Sequence, residues 1–320
     1  MVTMMRRLTC SAANSGMIFL ALLMVSCGAN ETSKLDTAGT AAMDYWYSIA
    51  PFCEGSPAKE HCDDGDMNLF SGLLCAAGES YACESVAAAQ GTDGRWWRSP
   101  RRVGDNLGQD KTFSRDMASG VFLYLAVTKD KVAAQNWYRW LKDNRPCSIR
   151  HPVNGGCILW GIWRHCRDSN NQSCDITPAG WAMIYRLWQH MGLPPEPVME
   201  RYKGLDIDAA KISARNQETG YPMHLSGVSM LLRKILNKDL GTAREVSEIL
   251  HNRQPLNPFF LWLHEGPTDE VKRRVLDFCP TPQRPPGRLF QWSWERADSS
   301  EAWKDSMGWD CIFMGRLLGF

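Results

Sequence analysis

The sequence carries almost no net charge, since its 36 Lys and Arg residues are nearly balanced by 35 Asp and Glu residues. The basic residues are spread along the chain, so we expect no nucleic-acid partner. A phosphate-binding glycine loop and a G-x-S-x-G turn are both missing, and nucleotide or serine-hydrolase chemistry therefore has no motif here. The seven His residues never recur at H-x-x-x-H spacing, and no two Cys residues form a C-x-x-C pair. We therefore expect neither a metal nor a cofactor.

The hydrophobic run near the N-terminus is too short to cross a bilayer as a permanent helix. It covers residues 17–25 and follows two Arg residues. This combination predicts an export signal over residues 1–26. We expect residues 27–40, which are small and polar, to form a flexible tether. The remaining residues, 41–320, are long enough for a single helical domain.

The export signal ends in Leu-Met-Val-Ser-Cys over residues 23–27, which resembles the lipobox of bacterial lipoproteins. The resemblance implies that Cys27 is acylated and anchors the protein to a membrane. Gly28 is not the Asp that retains lipoproteins in the inner membrane, so the resemblance favours the outer membrane where the host has one. Met24 departs from the usual Leu, and ordinary cleavage to a soluble exported protein stays open.

Ten Cys residues follow Cys27, an even number that predicts disulfides in an exported chain. Eight of them fall in four close couples, and two remain near the C-terminus. We predict that nearest neighbours pair and that the last two close a longer loop, although spacing alone does not prove connectivity. The expected pairs are Cys53 with Cys62, Cys75 with Cys83, Cys147 with Cys157, Cys166 with Cys174, and Cys279 with Cys311.

The hydrophobic periodicity predicts about eleven or twelve helices, most of them in couples with short connections. Strand signals are few, and residues 158–163 suit a short strand or a helical turn. Alternating outgoing and returning helices predict an all-α fold, arranged as an (α/α) toroid or partial toroid with disulfide-stapled loops. No sequence motif repeats at a fixed period, so a solenoid has no direct support.

Residues 145–178 form a long, polar, Cys-rich segment. A loop of this length in a compact domain is usually functional or stapled. His151 and His165 are candidate acid/base groups within it. We expect Arg145 and Trp160 to be architectural.

Residues 94–106 have neither helical nor strand periodicity and carry two Trp and four Arg residues. We predict an ordered loop, followed by a helix that Ser114 caps. Binding residues concentrate in such loops, so we expect Trp96 and Trp97 to stack on sugar rings while nearby Arg side chains orient the substrate. The alternative is a Trp-rich core, which the fourteen Trp residues also suit. The expected substrate-binding residues are Arg95, Trp96, Trp97, Arg98 and Arg115.

Three acidic residues are candidate catalytic groups. Asp66 and Asp116 each stand at the start of a predicted helix, whereas Asp310 lies in an apolar helix, where a lone charge is costly. Glycoside cleavage needs one carboxyl group protonated to assist the leaving group and another ionised as base or nucleophile. The structural alternatives are helix-dipole contacts for the first two residues and a salt bridge for the third. Residues 63–66 also suggest calcium, but without the full loop of an EF-hand.

Residues 63–73, which begin Asp-Asp-Gly-Asp-Met, resemble the helix-opening acidic motifs of (α/α)-toroid carbohydrate-active enzymes. Residues 114–117 are similar in type. The resemblance implies a glycoside hydrolase or a polysaccharide lyase whose acidic residues reach a central cleft. A lyase needs a base, for which the candidates are Tyr45, Tyr221 and His224.

Our leading hypothesis is an exported, lipid-anchored enzyme that cleaves a polysaccharide or oligosaccharide, with Asp116 and Asp66 as the acid/base couple. The alternative is a non-catalytic cell-surface lipoprotein that binds a glycan or a protein partner through a Trp/Arg-lined cleft. A purely structural envelope protein is a third interpretation. Geometry separates them, because an enzyme needs converging carboxylates, a binding protein needs only the aromatic side chains, and a structural protein needs no cleft.

Overall fold

The computed structural model of the protein describes residues 17–108, 112–168, 172–236, 240–287, 289 and 300–320. The described part is mostly helical, with thirteen α-helices and two small two-stranded sheets, so the predicted all-α class is confirmed. Residues 1–16 and the side chain of Cys27 lie outside this description. The export signal and the acylation of Cys27 therefore stay predictions.

The helices follow one another mostly through short connections, and each pair of strands is antiparallel. In chain order the helices are α1 (Met17–Ile49), α2 (Met67–Ala76), α3 (Ser80–Ala88), α4 (Arg115–Thr128), α5 (Lys131–Asp143), α6 (Pro178–Met191), α7 (Pro197–Tyr202), α8 (Leu205–Asn216), α9 (Tyr221–Ile235), α10 (Leu240–Arg253), α11 (Pro258–Glu265), α12 (Asp269–Phe278) and α13 (Trp309–Leu318). The strands are β1 (Phe52–Cys53), β2 (Ser56–Pro57), β3 (Cys147–Arg150) and β4 (Cys157–Trp160).

Helices α2 and α4 pack so closely in the core that their backbones touch. A β-carbon on Gly72 would overlap the backbone of Gly120. A β-carbon on Gly120 would overlap the Asn68 carbonyl oxygen and lie 2.6 Å from the Leu69 Cα. Only glycine therefore fits at either position. Because Gly120 meets Asn68 and Leu69 in the first turn of α2, the contact holds the two helix starts side by side.

The predicted flexible tether is wrong, because residues 27–40 belong to helix α1. The helix docks on the C-terminal part of the fold, where Lys272 forms an ion pair with Asp36. Gly39 is buried against the ring of Phe320, which leaves no room for a larger side chain. The small residues that suggested a tether instead allow a close helix contact.

All five predicted disulfides are present: Cys53–Cys62, Cys75–Cys83, Cys147–Cys157, Cys166–Cys174 and Cys279–Cys311. Four of them join residues that are 8 to 10 positions apart. The fifth spans 32 residues and joins the C-terminal end of α12 to the first turn of α13. Five disulfides are typical of an extracellular or periplasmic protein. In the part of the chain with described structure, no helix has the length and apolar character needed to cross a membrane.

Strands β3 and β4 form an exposed hairpin that one of these disulfides staples. Strand β4 overlaps residues 158–163, for which the sequence suggested a short strand or a helical turn. Several apolar side chains of the hairpin face solvent, including Ile158 and Trp160. The hairpin is therefore a surface element, held in shape by its covalent bridge more than by a core of its own.

We expect Gly120→Ala to destabilise the fold by about 3 kcal/mol, because the added methyl group meets backbone that cannot rotate away. Gly180→Ala is the matched control, since Gly180 is also helical and its β-carbon would lie 3.4 Å from the nearest atom, an ordinary contact. Because Ala has a higher helix propensity than Gly, Gly180→Ala should raise the free energy of unfolding by about 0.5 to 1 kcal/mol. Urea unfolding of both variants measures the difference, and equal stabilities would contradict the proposed α2–α4 contact.

Candidate functional site

The starts of α2 and α4 bring together the two acids on which the predicted site depends. Asp66 is the residue immediately before α2, and Asp116 lies in the first turn of α4. Ser114 caps α4, as predicted, by accepting a hydrogen bond from the Met117 N–H at 3.5 Å. The glycine contact holds the helices together, so Asp66 and Asp116 lie near enough for their charges to interact.

Asp66 is flanked by two cations. Its carboxylate oxygens lie 3.4 Å from Arg98 Nη1 and 3.5 Å from Lys59 Nζ. Arg98 also donates a hydrogen bond to the Gly65 carbonyl oxygen, which fixes the guanidinium beside the helix start. The Asp66 side chain is 31% exposed, so a substrate has access to a negatively charged oxygen here.

Asp116 has a different environment. Burial raises the pKa of the Asp116 carboxyl above its ordinary value, and the neighbouring charge of Asp66 raises it further. The Tyr221 hydroxyl and the cations of Arg115 and Arg98 act in the opposite direction, but the net shift is upward. Asp116 therefore keeps its proton to a higher pH than an exposed Asp does, as a general acid must.

Tyr221, the first residue of α9, is the third member of this cluster. Burial strongly raises the pKa of its hydroxyl, and the charges of Asp116 and Asp66 add to the effect. The hydroxyl is buried and lies close enough to the Asp116 carboxyl for each group to shift the pKa of the other. The sequence named Tyr221 only as one of three candidate bases, because no local motif links it to the acids.

The Arg-rich loop after α3 binds the acidic loop before α2. Arg102 holds the Asp64 carboxylate with its Nε and one terminal nitrogen, both at 2.7 Å, and the Ser99 hydroxyl donates to the same carboxylate. All three side chains are buried. A buried ion pair in which two guanidinium nitrogens bond the same carboxylate oxygen, Asp64 Oδ1, fixes one loop against the other. It thereby places Arg98 beside Asp66.

The predicted sugar platform in this loop is wrong. Trp96 and Trp97 are only 1% and 8% exposed, because both side chains pack into the core. Trp96 makes an edge-to-face contact with Tyr124, with ring centroids 6.0 Å apart. Arg95 is also buried, and its guanidinium lies 4.0 Å from the centre of a Trp97 ring. The alternative of a Trp-rich core therefore holds for both Trp residues, and Arg95 does not face a substrate.

Asp310 is fully buried in the first turn of α13, apart from any surface that a substrate reaches. Its carboxylate accepts hydrogen bonds from the Ser306 hydroxyl at 2.6 Å and the Cys311 N–H at 3.0 Å. This carboxylate stabilises the chain next to the Cys279–Cys311 disulfide. We therefore remove Asp310 from the candidate catalytic residues.

A groove of about 1040 Å3 opens beside Arg115, which is exposed at the start of α4. Its walls come from the segment around β4 and from the starts of α6 and α7. Trp160 is 49% exposed at its edge. The sequence feature that could have indicated this groove is the pair of Trp residues at positions 160 and 163, inside the stapled loop. The charged and aromatic side chains of the groove are Arg115, Arg145, Arg201, Asp175, Trp160, Trp163, Trp181 and Tyr202.

Arg115 also lines a smaller cavity of about 260 Å3 enclosed between α4, α6, α8 and α9. Asp206 is buried in its wall and forms ion pairs with Arg186, at 2.7 Å, and with Arg233. Because its partners neutralise it, this carboxylate joins the helices and is not a second acid/base group. His165 lines the same cavity and stacks flat on Trp137.

The structure thus unites four of the predicted residues at the neighbouring starts of α2 and α4: Asp66, Asp116, Arg98 and Arg115. Arg95, Trp96, Trp97 and Asp310 lie elsewhere or face the interior. Comparison of the chain with protein-family models and with curated proteins finds no match.

His165 makes the stability depend on pH, because burial lowers its pKa to about 3 from 6.5. Between these values the unfolded chain binds a proton that the folded chain does not, so the unfolding free energy decreases as the pH falls from 6.5 towards 3. We expect His165→Phe to make this slope shallower by up to about 1.4 kcal/mol per pH unit. Urea unfolding across that range measures it.

The control is His151→Phe, since His151 is exposed and lies outside the core. This control should keep the slope of the unsubstituted protein. Identical slopes for the two variants would show that His165 does not contribute to the pH dependence.

Proposed function

We propose that the protein cleaves glycosidic bonds by hydrolysis, with Asp116 as the general acid and Asp66 as the base or nucleophile. One observation supports this above all others: two carboxyl groups from different helices converge, and their environments differ. Asp116 is half-buried with a raised pKa, whereas Asp66 lies between two cations. Helix-dipole contacts alone would explain each acid at its own helix start, but not their convergence.

The proposed chemistry divides between the two acids. Asp116 donates its proton to the glycosidic oxygen as the bond to the leaving sugar breaks. Asp66 either activates a water molecule that attacks the anomeric carbon, or attacks that carbon itself to form a covalent glycosyl-enzyme. In the second case, water activated by the deprotonated Asp116 then hydrolyses the bond between Asp66 and the sugar. Arg98 and Lys59 orient Asp66, while Arg115 binds the substrate beside the reacting bond.

Tyr221 favours hydrolysis over elimination by a lyase. A lyase base must remove a proton from the sugar ring, whereas the strongly raised pKa of Tyr221 opposes loss of its own proton. His224 is fully buried and out of reach of a polymer. In the hydrolytic scheme Tyr221 stays neutral and lies against Asp116, where its hydroxyl dipole orients the acid.

In this proposal the site lies in a partial (α/α) toroid. Acylated Cys27 anchors the protein to the bacterial outer membrane. The predominance of helices and the five disulfides support an exported helical enzyme of this kind. Mass spectrometry of the mature N-terminus tests the anchor. An unmodified terminus on a freely soluble product would refute the anchor and leave the catalytic proposal in place.

We expect Asp116→Asn to lower product release about 100- to 10,000-fold, because the amide cannot supply the proton. Activity of the unsubstituted enzyme should decrease as the pH rises through the raised pKa of Asp116. The assay is the release of reducing ends from a panel of envelope and algal polysaccharides. The Asp66→Asn variant should lose activity to a similar extent.

Asp208→Asn is the matched control, since Asp208 is an exposed Asp in the first turn of α8. It should retain full activity. If Asp116→Asn releases as much product as the unsubstituted protein, Asp116 is not the acid. If the unsubstituted protein binds a glycan from the panel but releases nothing, the non-catalytic alternative replaces the enzyme.

A further inference from the structure

We propose that the groove beside Arg115 binds an acidic glycan, one whose sugars carry carboxylate or sulfate groups. This inference rests on the proposed function, because it names the substrate class of the same site. The composition of the groove differs from that of the core. It combines accessible aromatic faces with cations that no acid of the described chain neutralises.

The charge of the groove is the first argument. Arg115, Arg145 and Arg201 line it, and none of the three has a carboxylate within 4.0 Å among the described residues. The only acidic side chain of the lining is Asp175, which already pairs with Arg164 at 2.8 Å. Three cations on one concave surface attract an anionic ligand and repel a cationic one.

Aromatic side chains form the second argument. Trp160, which is 49% exposed, stands at the groove beside Trp163 and Tyr202. The guanidinium of Arg145 lies 4.9 Å from the Trp163 ring centre and donates a hydrogen bond to the Gly161 carbonyl oxygen at 2.9 Å. This stacking holds the cation in a fixed direction. Flat aromatic faces next to fixed guanidinium groups suit a sugar ring with a carboxylate or sulfate substituent.

The third argument is position. Arg115 lines the groove and directly precedes Asp116 in α4, so the groove opens beside the helix start that carries this acid. Its volume of about 1040 Å3 lies at the upper end of the range of roughly 300 to 1,000 Å3 that is usual for ligand sites. A ligand lying along the groove therefore has room for several sugars and reaches Arg115 at the start of α4.

Binding is best measured on the full exported protein carrying Asp116→Asn, so that no turnover occurs. Affinity electrophoresis or calorimetry with polygalacturonate, dextran sulfate and neutral dextran separates carboxylate, sulfate and uncharged sugars. We expect at least one acidic polymer to bind about 10-fold more tightly than dextran. Preference for polygalacturonate would identify carboxylate as the recognised group, and preference for dextran sulfate would identify sulfate.

Adding Arg201→Ala should weaken binding of the preferred acidic polymer about 10-fold and leave dextran unchanged. Lys203→Ala is the matched control, because Lys203 lies two residues away, is 63% exposed, and is not part of the groove lining. It removes the same charge but should leave binding unchanged. Trp160→Ala should weaken binding of acidic and neutral polymers alike, since stacking does not depend on charge.

Equal binding of all three polymers, or equal effects of Arg201→Ala and Lys203→Ala, would overturn the acidic-glycan inference. Cleavage of a neutral glycan that loses activity with Asp116→Asn would then leave the proposed function intact. If the protein instead binds an acidic polymer tightly and through Arg201 but cleaves nothing, the acidic-glycan inference is supported and the catalytic role is overturned.

Discussion

The contact between the backbones of α2 and α4 is the constraint on which the candidate site depends. Each helix begins with an acid, and the two acids become neighbours because Gly72 and Gly120 let the helices approach without side chains between them. A helix start favours a negative charge, but burial opposes it. At Asp116 burial prevails and raises the pKa of the carboxyl, whereas Asp66 keeps partial exposure and two cationic neighbours. One packing arrangement thus produces two unlike carboxyl groups.

Polar contacts hold the parts around this helix pair. The buried Asp64–Arg102 pair fixes the Arg-rich loop against the start of α2. Such a pair contributes little net stability, because both groups lose their hydration, but it defines where the loop lies. The hairpin of β3 and β4 has little core and depends on its disulfide. Rigid loops around the acids suit a site that must position a substrate precisely.

The Trp residues of this protein have two roles, and burial decides which role each residue has. Trp96 and Trp97 fill the core and support the loop that carries Arg98, whereas Trp160 and Trp163 reach the groove. Arg residues divide in the same way, since Arg95 stacks on a buried ring while Arg115 stays exposed at the helix start. The exposed members of both sets meet in the groove that Arg115 lines. In our proposal this is where a glycan lies when it is cleaved.

The sequence by itself determined the helical class, the disulfide pairs and the helix starts at Asp66 and Asp116, because periodicity, close Cys spacing and capping residues act over a few positions. Tertiary structure alone decided which side chains share a surface. Nothing local shows that Tyr221, more than a hundred residues from Asp66, lies beside Asp116. Likewise, Trp96 is buried and Trp160 exposed although both stand in polar stretches of the sequence. Burial, and with it the raised pKa of Asp116, depends on packing between elements distant in the chain.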